Sequence, residues 1–284
     1  MNRLTTCVTA IAALIASPAF AADMAVKAPP PALVPVYNWT GWYVGLNAGD
    51  GWQNTIDNSV TSNFFVLAGF GLYPALNAAI PQQFNTNPSG FNGGGQIGYN
   101  YQLVQNWVAG LEADFQDANI KGTASAAGAA VDTAGSLITV AGTGSQKIDR
   151  FGTLRGRLGW LPVDSLLVYG TAGLAYGHVQ TDVSFSGSRM GGAGTPMNGS
   201  IAASQSETRT GWTLGGGMEW MFASSWTVKA EYLYYDLGTE TLNQALMLTG
   251  FAPGIGTTGI GANIQSVAHY RGNIVRAGVN YKFW

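Results

Sequence analysis

Apolar and polar residues alternate along this chain in separated segments with a period of two, the pattern of strands that have one apolar face. Eight such segments are predicted. The first runs from about 42 to 52, with Trp42, Val44, Leu46 and Ala48 on one face and Tyr43, Gly45, Asn47 and Gly49 on the other. The second runs from about 92 to 103, setting Ile97, Tyr99, Tyr101 and Leu103 against Gln96, Gly98, Asn100 and Gln102. The same pattern recurs at about 107–120, 147–160, 166–183, 208–221, 226–237 and 270–284.

Short turns at 104–106, 161–165 and 222–225 alternate with long connections at about 53–91, 121–146, 184–207 and 238–269. That asymmetry is the one expected of an outer-membrane barrel, with short turns on the periplasmic side and long loops outside. Trp42, Trp107, Trp160, Trp220, Trp226 and Phe283 all fall near the short-turn ends, where an interfacial aromatic girdle belongs. A soluble β-sandwich would also alternate. It would not place tryptophan and tyrosine on its exposed face strand after strand, because only a bilayer offers that face a favourable solvent. The expected fold is therefore all-β, an eight-stranded antiparallel transmembrane barrel with short periplasmic turns and four long extracellular loops. Two apolar runs inside the loops, 64–72 and 242–251, would raise the count to ten if they proved to be further membrane strands.

Composition agrees, with 10% charged residues, 40 glycines, 9 tryptophans and 12 tyrosines in 284 residues at a formal net charge of -2. Soluble domains carry about 25% charged residues. At the N-terminus Arg3, an apolar stretch over 4–16 and Ala19-Phe20-Ala21 read as a signal peptide of residues 1–21, cleaved after Ala21. A Pro-rich periplasmic segment is expected over 22–38 and the barrel over 39–284. Cys7 lies inside the signal, so the secreted chain has no thiol for disulfides, nucleophilic catalysis or zinc-thiolate sites.

On this register Glu112, Asp114, Glu219 and Glu231 point inward together with Arg155, Arg157, Lys229, Arg276 and Lys282. One reading is a structural ion-pair network, because eight strands leave an interior only just wide enough for side chains and buried charges require partners. The other is a narrow conduit for ions or small solutes, although open channels usually need about 16 strands. Gly93-Gly94-Gly95-Gln96-Ile97-Gly98 fits G-x-G-x-x-G but opens a strand, so its glycines relieve crowding and bind no nucleotide. His178 and His269, the only histidines, fall near the loop ends of their strands and are candidates for hemin or a metal at the barrel mouth; two isolated imidazoles are otherwise solvated rim residues. Neither has a serine two residues away, as the lipid A deacylase type would, and no enzymatic activity is expected. The apolar patches 64–72 and 245–251 and the Gly/Ala/Thr-rich stretch 122–144 either extend the barrel wall or contact host surfaces, lipopolysaccharide or neighbouring proteins.

The opening Asn38-Trp39-Thr40-Gly41-Trp42-Tyr43-Val44-Gly45 and the closing Arg276-Ala277-Gly278-Val279-Asn280-Tyr281-Lys282-Phe283 resemble the small outer-membrane β-barrels of alphaproteobacteria, major surface antigens of the RopB type related in architecture to OmpA and Opa barrels. The resemblance implies an eight-stranded barrel in the outer membrane, roles in envelope integrity and surface recognition and, in some members, hemin binding. It also implies that Val279, Tyr281, Phe283 and Trp284 form the C-terminal signal read by the barrel-assembly machinery, with Trp284 one residue beyond the usual terminal phenylalanine. Expected partners are outer-membrane lipids, lipopolysaccharide and host or envelope proteins met through the loops; neither a cofactor nor nucleic acid is expected. The function expected is a structural surface barrel, with a narrow porin-like channel or a hemin-uptake protein as the alternative.

Overall fold

The computed structural model describes residues 37–53, 60–66, 73–104, 106–253 and 256–283. These form β1 (Gly41–Gln53), β2 (Val60–Val66), a short α1 (Tyr73–Ala79), β3 (Ser89–Val104), β4 (Trp107–Val131), β5 (Leu137–Val163), β6 (Leu166–Met190), β7 (Met197–Ala223), β8 (Trp226–Ala252) and β9 (Gly256–Phe283). All ladders are antiparallel, each strand of the ring pairing with its neighbours in chain order, and β1 closes the ring on β9 from Trp42↔Phe283 to Gln53↔Gly272. The eight expected strands are thus the eight of the ring. β2 is a ninth, continuing the line of β1 along the upper part of β9, with Val60 opposite Ser266.

Stepping across paired residues, Trp42 to Tyr99, Leu111, Gly156, Ala172, Leu214, Tyr234 and Asn273, leads back to β1 at Trp52, ten residues beyond the start. For eight strands this stagger corresponds to a tilt of roughly 40° and an interior that side chains can fill. Along the lower half of the ring the outward residues are apolar and exposed, among them Leu46 at 72%, Leu111 at 65% and Leu174 at 64%. The six girdle aromatics are exposed at the short-turn end, and across strands Trp42 meets Tyr99 at a tilt and Trp226 meets Tyr281 edge to face, at 5.2 and 5.0 Å between ring centroids. At the upper edge of the band Trp212 and Tyr234 pair at 5.3 Å. A band of about 25 Å is what a bilayer wall requires.

The expected long loops are corrected by the strand lengths. β4 to β9 run for 25 to 28 residues, whereas a membrane strand needs about 9–11. Residues 121–146 are the upper arms of β4 and β5 around a turn at 132–136, and 184–207 are those of β6 and β7 around 191–196. Most of 238–269 belongs to β8 and β9, so the run 242–251 extends an existing strand and the membrane count stays at eight. Of 53–91, β2 and α1 are ordered elements, and of the first apolar run, 64–72, only the backbone of 64–66 falls among the described residues.

The physical reason is an inversion of the wall. In lower β5, Leu154 and Leu158 point out and Arg155 and Arg157 in; above Arg150, Ile138 and Val140 point in and Thr139 and Ala141 out. A register shift between Ile148 and Arg150 changes the phase of the strand there, and another between Asp236 and Thr239 does so in β8. Gly238 sits at that second bulge with φ of 82°, a left-handed backbone that glycine adopts freely. Above the bulges β7 and β8 form no rungs between Asn198↔Thr249 and Trp212↔Asp236. The wall therefore divides into two sheets, β4–β7 and β8, β9, β2. Between them lies an apolar core with Ile138, Val140, Val183 and Phe185 on one side, Leu246, Leu248, Ile260 and Ile264 on the other, and Leu76, Ala79 and Phe84 from α1 and its exit.

Candidate functional site

Period-two geometry delivers the charged side chains to one place. Glu112 and Asp114 are two apart on β4, Arg155 and Arg157 on β5, Lys229 and Glu231 on β8, with Glu219 on β7 and Arg276 on β9, so all project inward. The ladder sets Glu112 opposite Arg155, Glu219 opposite Lys229 and Glu231 opposite Arg276. Arg155 binds Glu231 Oε1 through Nη1 at 2.8 Å and reaches Glu112 and, at 3.2 Å, Asp114 through Nη2. Arg276 holds Glu231 at 2.6 Å and Asp114 at 2.8 Å, and Lys229 Nζ lies 2.9 Å from Glu112 Oε1. Arg157 pairs with Glu219 and lies 3.5 Å from Glu112. All eight side chains are buried. Four carboxylates thus face four cations, and the lattice is neutral.

Neutral donors complete it. Thr153 donates to Asp114 through Oγ1 at 2.7 Å and through its backbone N–H at 3.1 Å, Asn280 donates to Glu219 at 2.8 Å, and Asn47 donates to Gln96 at 2.9 Å. Tyr43 OH donates to Glu112 at 2.7 Å and accepts from Arg157 at 3.0 Å. The Arg157 guanidinium lies 4.2 Å from the Tyr169 ring centroid, and Tyr169 OH donates to Glu231 at 3.1 Å. These two tyrosines fall on inward faces but reading for charge passes over them. A usable signal exists, since each has a glycine as ladder partner, Tyr43↔Gly98 and Tyr169↔Gly217. A Cβ on Gly98 would come within 2.3 Å of the Tyr43 hydroxyl, so glycine is what lets the ring lie across the next strand.

Apolar layers adjoin the lattice on both sides. Above it Phe151, Val179, Leu233, Tyr235 and Ile274 form a buried cluster, with Phe151 and Tyr235 at 5.0 Å between centroids. Below it Trp39 is buried against Val108, Leu161, Leu167 and Met221 and donates its indole N–H to the Asp164 carbonyl at 2.9 Å. Gly41, with φ of 140°, turns the chain from this position into β1.

Other expected site residues fall elsewhere. Lys282 is apart from the lattice, at the short-turn end, where its ammonium meets the Asn38 carbonyl. His178 lies on the outer face of β6, with Nε2 2.9 Å from Ser206 Oγ and Nδ1 3.4 Å from Thr208 Oγ1. His269 is on β9 opposite Thr239, so β7 and β8 intervene between the two imidazoles. Among the described residues no three His, Cys, Asp or Glu side chains gather as a metal site. Val279, Tyr281 and Phe283 are exposed on the outer face of the closing strand. Trp284, the expected signal peptide and the Pro-rich segment up to residue 36 lie outside the described residues. At the far tip, within segments expected to be loops, Asp132 is clamped by Arg189 and accepts the backbone N–H groups of Ala134 and Ser136 at 2.8 and 2.9 Å.

A ring of antiparallel strands with a lipid-facing apolar wall and a polar lumen defines an outer-membrane β-barrel. Residues 9–283 match the family described as outer membrane protein beta-barrel domain, and the chain belongs to that family. It is 33% identical over 276 residues to the 31 kDa outer-membrane immunogenic protein of Brucella melitensis, covering 96% of this chain and 97% of that one. The 25 kDa outer-membrane immunogenic protein of the same organism is 28% identical, covering 90% and 99%. The 22 kDa outer membrane protein of Rhizobium leguminosarum is 28% identical over 61% of this chain and 63% of its own. Among solved structures, Neisserial surface protein A aligns over 86% of this chain and 98% of its own, at 13% identity and a TM-score of 0.34. The protein is accordingly an outer-membrane, surface-antigen-like barrel of the alphaproteobacterial type.

Proposed function

We propose that this chain is a structural, surface-exposed barrel with a closed interior, contributing to envelope integrity and presenting its upper sheets for surface interaction. The observation that carries this reading is the neutral lattice of Glu112, Asp114, Glu219 and Glu231 with Arg155, Arg157, Lys229 and Arg276, buried between two apolar layers. Opening a path would strip charges of partners in a medium of low dielectric, at a cost of several kcal/mol per ion. The apolar belt engages outer-membrane lipid and lipopolysaccharide, and the closing strand is the part that the barrel-assembly machinery reads. Host or envelope proteins meet the sheets above the membrane.

Liposome swelling tests the closed interior. Vesicles carrying the refolded protein are expected to swell in arabinose or glycine no faster than protein-free vesicles. Swelling that scales with the amount of barrel would replace this reading with a narrow channel.

A further inference from the structure

Glu240 stands on β8 just above the bulge, points inward and is 2% exposed. Its Oε2 accepts from Thr181 Oγ1 at 2.9 Å and from Tyr270 OH at 3.3 Å, and those two hydroxyls touch each other. Its Oε1 has no hydrogen-bond partner. Gln146, 1% exposed, is the ladder partner of Thr181; its Oε1 accepts from Thr86, and its Nε2 has no partner. Turning that amide end for end leaves Thr86 bonded and frees the oxygen.

In the lattice below, every carboxylate has a cation. Glu240 has none within ion-pairing distance among the described residues. Arg209 on β7, the cation whose charge reaches Tyr270, is engaged by Glu207 and by the Thr239 carbonyl. An isolated buried carboxylate is expensive unless something positive joins it. Two carboxylate oxygens, two hydroxyls and an amide oxygen make a hard, all-oxygen donor set, and its single negative charge matches a single positive one.

We propose that Glu240, Thr181, Tyr270 and Gln146 bind one alkali cation, with Na⁺ as the expected occupant. It enters from the external medium where β7 and β8 form no rungs between Asn198↔Thr249 and Trp212↔Asp236. The site requires no opening of the charge lattice beneath it.

The test uses the full chain refolded in lipid vesicles, unfolded by urea at equal ionic strength in NaCl, KCl or choline chloride. A ligand of the folded state raises the midpoint with its concentration, and Na⁺ is expected to raise it by about 0.5 M over choline and then saturate. Glu240→Gln should give the same midpoint in all three salts. Should that variant fail to fold, Thr181→Val should fold and need about tenfold more Na⁺ for half its effect. Equal midpoints for the wild type in the three salts would overturn the proposal, as would an undiminished Na⁺ response in both variants.

Discussion

The lower and upper halves of this barrel solve opposite problems with the same strands. Below the bulges, Leu154 and Leu158 of β5 face out while Arg155 and Arg157 face in; above them, Ile138 and Val140 face in while Thr139 and Ala141 face out. β8 makes the same change, from Lys229 and Glu231 inside to Leu242, Leu246 and Leu248 inside. The lower wall rejects its polar side chains from lipid, and they must neutralise one another in the lumen. The upper wall stands in water, so its apolar side chains collapse inward against α1 as in a soluble sandwich. Solvent, more than strand geometry, decides which side chains fill a barrel.

The two fillings should fail differently. Arg155→Met removes the cation shared by Glu112, Asp114 and Glu231. It is expected to cost about 3–5 kcal/mol in urea unfolding of the whole barrel, because acids are left buried without a partner. Adding Glu231→Met restores equal numbers of acids and bases and should recover part of that loss; no recovery would mean that packing rather than pairing fills the lower half. Phe185→Ala strikes the upper core, where Phe185 packs at a tilt against Phe84 at 5.8 Å between centroids. The expected cost is about 3 kcal/mol. It should appear as faster amide exchange above the bulges while the membrane wall keeps its protection.

The smallest expected effect is at the tip. Burial alone would raise the Asp132 carboxyl, but the N–H of Ser136, the Arg189 guanidinium and the N–H of Ala134 outweigh it and hold the carboxyl below the usual carboxylate range. Because the folded value is the lower one, the clamp's contribution is present above the unfolded carboxylate value of about 3.9 and is lost as pH falls through the folded value. Protection of the Ala134 and Ser136 amides, corrected for intrinsic exchange rate, should drop about tenfold between pH 6 and pH 2. Asp132→Asn should show the low protection throughout.

This contrast also explains what could be read beforehand. The lower half was legible because its outward face is strongly apolar, its inward face polar, and its phase unbroken; ring, strand faces and charged set all follow from that. The upper arms of β4 and β7 escape because Ala, Gly, Ser and Thr on both faces erase the alternation, as in 122–130 and, but for Ile201 and Gln205, in 199–206. In β5 and β8 the bulges shift the phase, so Val140 or Leu246 appears on the wrong face of an extrapolated strand. Glu240, Asp132 and Arg189 lie in segments whose sequence reads as loop, where nothing marks a charge as buried. The alternation sets Tyr43 and Tyr169 on inward faces but gives them no role, since a tyrosine facing a glycine becomes meaningful only once the register is known.

Spin labels placed one at a time along β5 in a Cys7→Ser background test the inversion most directly. At 152, 154, 156, 158 and 160 collisions with oxygen should dominate, as in lipid; at 139, 141, 143 and 145 collisions with a water-soluble nickel complex should dominate, with the change falling at Arg150. Oxygen-dominated collisions continuing through 139–145, or nickel reaching 152–158, would contradict a wall that changes solvent at the bulge.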